Sequence, residues 1–132
     1  MRKISAFILL VIGLASCESK EEILYKQYVV EGRVLYQTHC ANCHQENGSG
    51  LKDLYPAISQ ASLWKSMKSD ELTCLIKWGR KGTKGYMPGN TKLQALDIAE
   101  IQTFLREQWG TQKTIYSLDS ARFALKTCNA KL

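Results

Sequence analysis

Cys40-Ala41-Asn42-Cys43-His44 sets two thiols three positions apart, with an imidazole directly after the second. Each thiol can add to one vinyl group of a porphyrin while the imidazole reaches the iron, so C-x-x-C-H reads as a site of covalent haem c attachment. A structural zinc site also uses Cys-x-x-Cys, but it needs a second ligand pair to close its tetrahedron. His39 is the only other histidine, and Cys17, Cys74 and Cys128 form no second close pair. One covalently attached haem c is therefore the expected cofactor, with Cys40 and Cys43 as thioether residues and His44 as an axial iron ligand.

Haem iron in an electron carrier commonly takes a second protein ligand. The candidates are His39, Met67 and Met87. His39 lies five residues before His44 on the same approach to the ring and cannot easily reach the opposite face. Met67 falls in a segment expected to be helical, where methionine is ordinary filler. Met87 lies in Gly79–Gly89, a stretch with four glycines and Pro88. Such a composition predicts no regular element, but a chain that wraps closely past something flat. Met87 is the expected axial ligand, with an open or water-ligated iron as the alternative. A phosphate loop is excluded there, because no G-x-x-x-x-G-K-[ST] pattern occurs. An iron-bound imidazole usually donates its other N–H to a carbonyl, and Pro56, in an apolar patch that proline keeps out of regular helix, is placed to supply it.

The elements that must position these groups follow from periodicity. Residues 23–39 place Tyr25, Tyr28, Gly32, Leu35 and Tyr36 on one helical face. Glycine inside a helix costs about 1 kcal/mol relative to alanine, so Gly32 predicts close approach of another helix. The Asn47–Gly50 cluster predicts a chain reversal. A short helix is expected over residues 59–67. A second begins at Ser69-Asp70-Glu71, with Ser69 as cap, and stops at Gly79. It carries Leu72, Leu75 and Ile76 on one side, with Cys74 on a neighbouring face. A strong helix over residues 94–109 buries Ile98, Ile101, Phe104, Leu105 and Trp109, with Gly110 as terminator. Leu118, Ala121, Arg122, Leu125 and Cys128 predict one more. No stretch alternates with a β period, so the fold class is all-α.

The start of the chain reads as an address. Arg2 and Lys3 precede an apolar run of 12 residues, Ile4 to Ala15. That is too short for a bilayer span of about 20 residues and suits a signal-peptide core. Leu14-Ala15-Ser16-Cys17 resembles the bacterial lipobox, which implies cleavage after residue 16, a lipidated Cys17 and attachment to a membrane. Residues 17–22 are then a lipidated N-terminus and tether, 23–110 the haem domain and 111–132 an extension. Losing Arg2 and Lys3 lowers the formal charge from +6 to +4. Without a basic run interleaved with aromatics, that balance gives no support for nucleic acid as a partner.

Lipid and haem account for three of five cysteines. Cys74 and Cys128 remain, and in an exported protein a disulfide between them is expected, two buried thiols being the alternative.

Taken in order, Gly32-x-x-x-Tyr36, Cys40 to His44, Gly48-x-Gly50, Leu54-Tyr55-Pro56, Gly79 with the stretch to Met87-Pro88, and the last strong helix resemble the class I c-type cytochromes. The resemblance covers residues 23–110. It implies a small helical fold around one haem, with first and last helices crossing so that Gly32 and Tyr36 meet Phe104 and Leu105. It also implies Pro56 as carbonyl partner of His44. The lipobox and the extension carrying Cys128 depart from the simplest members. The expected function is one-electron transfer, by a carrier rather than an enzyme, in a bacterial cell envelope facing the periplasm or cell surface. Alternatives are a haem-carrying subunit through which electrons enter a larger respiratory oxidoreductase, and a haem-based gas or redox sensor. Redox proteins with acidic docking surfaces are the expected partners, met by Lys77, Lys81 and Lys84.

Overall fold

Ser19 opens the first helix: its Oγ accepts the Glu22 N–H at 3.2 Å, and Glu21 and Glu22 occupy the positive end of the helix dipole. The computed structural model describes residues 18–129 except 53, 83 and 84. Among the described residues the chain runs α1 (Lys20–His39), α2 (Ala41–His44), α3 (Ala61–Ser66), α4 (Ser69–Trp78), β1 (Gly79–Gly82), β2 (Gly85–Pro88), α5 (Ala95–Gln108) and α6 (Leu118–Asn129). The expected helical fold class holds. One difference is that α1 starts within the segment expected to be a tether, because Ser19-x-x-Glu22 supplies the residues of an N-terminal cap.

The crossing of α1 and α5 forms the centre of the molecule. Gly32 is buried against the α5 backbone, where a Cβ would lie 2.0 Å from the Glu100 carbonyl oxygen and 2.8 Å from Phe104 Cβ. One turn on, the fully buried Tyr36 ring stands 5.5 Å from both the Phe104 and Trp109 rings. Ile76, Leu93, Ile98, Ile101 and Leu105 complete this cluster. The pattern Gly32-x-x-x-Tyr36 thus works as a slot followed by a plug: the missing side chain lets the backbones meet, and the aromatic ring fills the space beside the contact.

Two expectations are corrected. Residues 79–89 are not wholly irregular: β1 and β2 pair antiparallel, with Gly79 opposite Pro88 and Arg80 opposite Met87. Glycine at 79 (φ 75°) ends α4 and turns directly into β1. Pro88 takes the last place in β2, where a missing N–H disturbs the ladder least. Ser69 is not the cap of α4. Lys68 holds that position with no side-chain bond, because the Ser69 hydroxyl accepts from the Arg106 guanidinium instead. The further helix expected around Leu118 to Cys128 is α6, on which Arg122 faces outward and pairs with Asp119 at 3.4 Å, while Ala121, Ala124 and Cys128 form the inner face.

A buried polar seam joins the extension to the domain. The Tyr116 N–H donates to Thr103 Oγ1 at 3.0 Å, and the Tyr116 hydroxyl lies 3.0 Å from Thr73 Oγ1. Gln102 Nε2 donates to Thr73 Oγ1 at 2.6 Å and to the Ser69 carbonyl at 3.1 Å. Cys74 on α4 and Cys128 on α6 are joined as a disulfide with Cα atoms 5.6 Å apart.

Candidate functional site

Cys40 is both the last cap of α1 and the residue before α2. Its N–H donates to the Tyr36 carbonyl at 2.8 Å, and its own carbonyl accepts from Cys43 (3.2 Å) and His44 (2.9 Å). The single turn of α2 therefore gathers both thiols and the imidazole next to the α1–α5 contact. Gln45 then takes φ 64°, which reverses the chain. Its carbonyl accepts the Tyr36 hydroxyl at 2.6 Å, so the residue that plugs the helix crossing also holds the turn after His44.

Cys40 and Cys43 are free and half-buried. Before haem is attached, burial, and secondarily the neighbouring Cys43, pushes the Cys40 thiol up to about 11. His44 Nδ1 lies 3.1 Å from the Pro56 carbonyl oxygen. With the proton on Nδ1, the imidazole donates to Pro56 and keeps its Nε2 lone pair for a metal. The carbonyl is brought in by Gly50, whose N–H donates to the His44 carbonyl at 2.9 Å. A Cβ at Gly50 (φ 66°) would lie 2.4 Å from the Tyr55 carbonyl oxygen and 2.7 Å from that of Pro56. Two reduced thiols on one helical turn, with an oriented imidazole beside them, make a donor set that fits covalent haem c.

Met87 is half-buried on β2, between exposed Tyr86 and Pro88, with Arg80 opposite on β1. Met67 caps the end of α3. It lines a polar cleft of about 520 Å³ shared with Lys65, Asp70 and Arg106, which none of Cys40, Cys43, His44 and Met87 lines. His39 is exposed in the last turn of α1. Among the described residues no group of three His, Cys, Asp or Glu side chains could hold a metal ion. Cys17 and Lys84 lie outside the described residues.

Lys77 does not stand free as a docking lysine: its ammonium donates to the Thr91 and Leu93 carbonyls, each at 2.7 Å. Arg80 and Lys81, by contrast, are exposed on β1. Sequence reasoning missed the hold of Gly50 on Pro56 and the commitment of Lys77. Asn47-Gly48-Ser49-Gly50 did carry a signal for the first, since paired glycines in a turn mark left-handed backbone.

The family model for cytochrome c matches residues 29–109, from within α1 to just past α5. No match was found among curated proteins.

Proposed function

We propose, from the premise that this chain belongs to the cytochrome c family, that it is a single-haem, class I carrier anchored by lipid at Cys17 in a bacterial envelope. As a family member it holds haem c covalently and works in haem-based electron transfer as a carrier rather than a catalyst. The finer reading assigns the thioether bonds to Cys40 and Cys43, and the axial positions to His44 and Met87. No described helix is long and apolar enough to cross a membrane. Attachment in this reading comes from acyl chains on Cys17.

The observation that carries the reading is the 3.1 Å approach of His44 Nδ1 to the Pro56 carbonyl. It holds the ring's tautomer and leaves one nitrogen free, which is what an unchanging axial ligand requires. Bound haem supplies a one-electron iron couple. The chain's part is to hold both ligands still, so that little reorganises when the charge changes, and to present a docking surface. Exposed Arg80 and Lys81 sit on the hairpin that carries Met87 and favour an acidic redox partner.

Spectroscopy of the matured protein tests this. The oxidised form is expected to be low-spin, with a weak near-infrared methionine-to-iron band that Met87→Ala abolishes. Persistence of that band in the variant removes Met87 from the iron. Mass spectrometry of the mature N-terminus tests Cys17, which should carry acyl chains as the first residue.

A further inference from the structure

The hairpin bearing Met87 is pinned to the last turns of α4 at both ends. At its start the Gly79 N–H donates to the Leu75 carbonyl. Beyond its end the Asn90 N–H donates to the Ile76 carbonyl at 3.0 Å. Lys77, the residue between those two α4 anchors and the hairpin, reaches across to the Thr91 and Leu93 carbonyls at 2.7 Å each. The segment it grips leads straight into buried Leu93 and the capping box of α5, where the Gln94 N–H donates to Asp97 Oδ2 at 2.6 Å. An isolated two-stranded hairpin is marginal in water. Where Met87 sits therefore depends on what holds the hairpin's ends. A lysine that orders its whole stem to place one ammonium on two carbonyls makes charge-assisted bonds, the stronger kind.

We propose that Lys77 is the positioning residue for Met87, locking residues 90–93 onto α4 so that the hairpin cannot swing away from the haem. The proposal rests on the reading of Met87 as an axial ligand. Releasing the clamp leaves the far end of the hairpin held by the Asn90 N–H bond to the Ile76 carbonyl alone, while the near end stays capped at Gly79. Met87 then leaves its place in a larger fraction of molecules, and an added ligand finds the sixth position open more often. Apparent affinity rises in proportion to that fraction.

The test is imidazole titration of the oxidised, full-length haem protein, followed by its visible spectrum. Lys77→Met keeps the stem and deletes the charge. It is expected to bind imidazole about tenfold more tightly than wild type and to show a weaker near-infrared band. Lys77→Arg, which restores two donors, should return both toward wild type. If Lys77→Met does not mature, Lys77→Gln takes its place, because its shorter amide cannot span both carbonyls. Unchanged imidazole affinity, within about twofold, overturns the proposal even if thermal stability falls, since a purely structural lysine would lower stability without exposing the iron. Wild type binding imidazole as tightly as Met87→Ala is a different failure. That result shows Met87 is not on the iron, and the axial reading falls together with the clamp.

Discussion

Gly50 and Pro56 meet backbone to backbone, so closely that a Cβ on Gly50 would lie 2.7 Å from the Pro56 carbonyl oxygen. The same oxygen accepts from His44, so the geometry of the proposed iron ligand is set through the backbone of a glycine six residues away. Gly50→Ala should push this carbonyl away and strain a backbone at φ 66°, at a cost above about 1 kcal/mol. With its N–H partner lost, the imidazole becomes a weaker donor to ferric iron, and the midpoint potential should rise. Potentiometric titration reads this; an unchanged potential would show that Pro56 does not tune the iron.

Gly32→Ala should destabilise the protein in spite of helix propensity. Alanine gains about 1 kcal/mol over glycine in a helix interior. Its methyl would sit 2.0 Å from the Glu100 carbonyl oxygen, and forcing two helix backbones apart typically costs about 1–3 kcal/mol. Overpacking wins, and guanidinium unfolding of the variant should show a lower midpoint. A higher midpoint would mean that the α1–α5 crossing relaxes freely.

Cys128→Ser tests the attachment of the extension. The disulfide closes a sequence separation of 54 residues, for which chain entropy alone gives about 4 kcal/mol. Denaturant unfolding should register a loss of that order, with the haem still attached. Tyr116 keeps part of the extension in place, through its bonds to Thr73 and Thr103. A loss well below 1 kcal/mol would mean that this buried seam does most of the holding.

Alkaline pH should unfold the protein by way of Tyr36. Burial raises its phenol to about 12. A raised folded value means that the folded state holds the proton more tightly. The stability this contributes is complete below the ordinary tyrosine range near pH 10 and declines from there up to about pH 12. One such proton corresponds to a slope of about 1.4 kcal/mol per pH unit. Tyr36→Phe should flatten the slope by about that much, at the cost of the bond to the Gln45 carbonyl. Tyr25 is raised to about 12 in the same direction, by burial first and then by its bond to Glu107. The slope should therefore lessen in Tyr36→Phe rather than vanish, as followed by circular dichroism across pH 9–12.

Several features were legible because they are local. C-x-x-C-H needs only one turn of chain to bring its groups together, and the 3.6-residue period of residues 23–39 and 94–109 marks two faces without reference to any partner. Gly32 announced a close helix contact for the same reason, since a helix-weakening residue on an apolar face has few other uses. The polar residues of the inner face were not legible. Thr73, Gln102 and Thr103 are fully buried, and the two hydroxyls and the Gln102 amide nitrogen are answered by residues elsewhere in the chain. Composition alone would leave all three in water. Lys77 misled in the same way: a lysine in a basic stretch reads as solvated until the carbonyls of Thr91 and Leu93 are found beside it.

The amino-acid sequence by itself determined the covalent chemistry, the helical class and which residues could serve as ligands, because each depends on the spacing of neighbours along one turn of chain. Tertiary structure alone decided that Gly50 aims the Pro56 carbonyl and that the glycine-rich stretch pairs as a hairpin. It also decided that Lys77 spends its charge inside the molecule. These are meetings between segments whose separation in sequence carries no signal, and burial converts an ordinary hydroxyl, amide or ammonium into a structural bond only where the partner arrives.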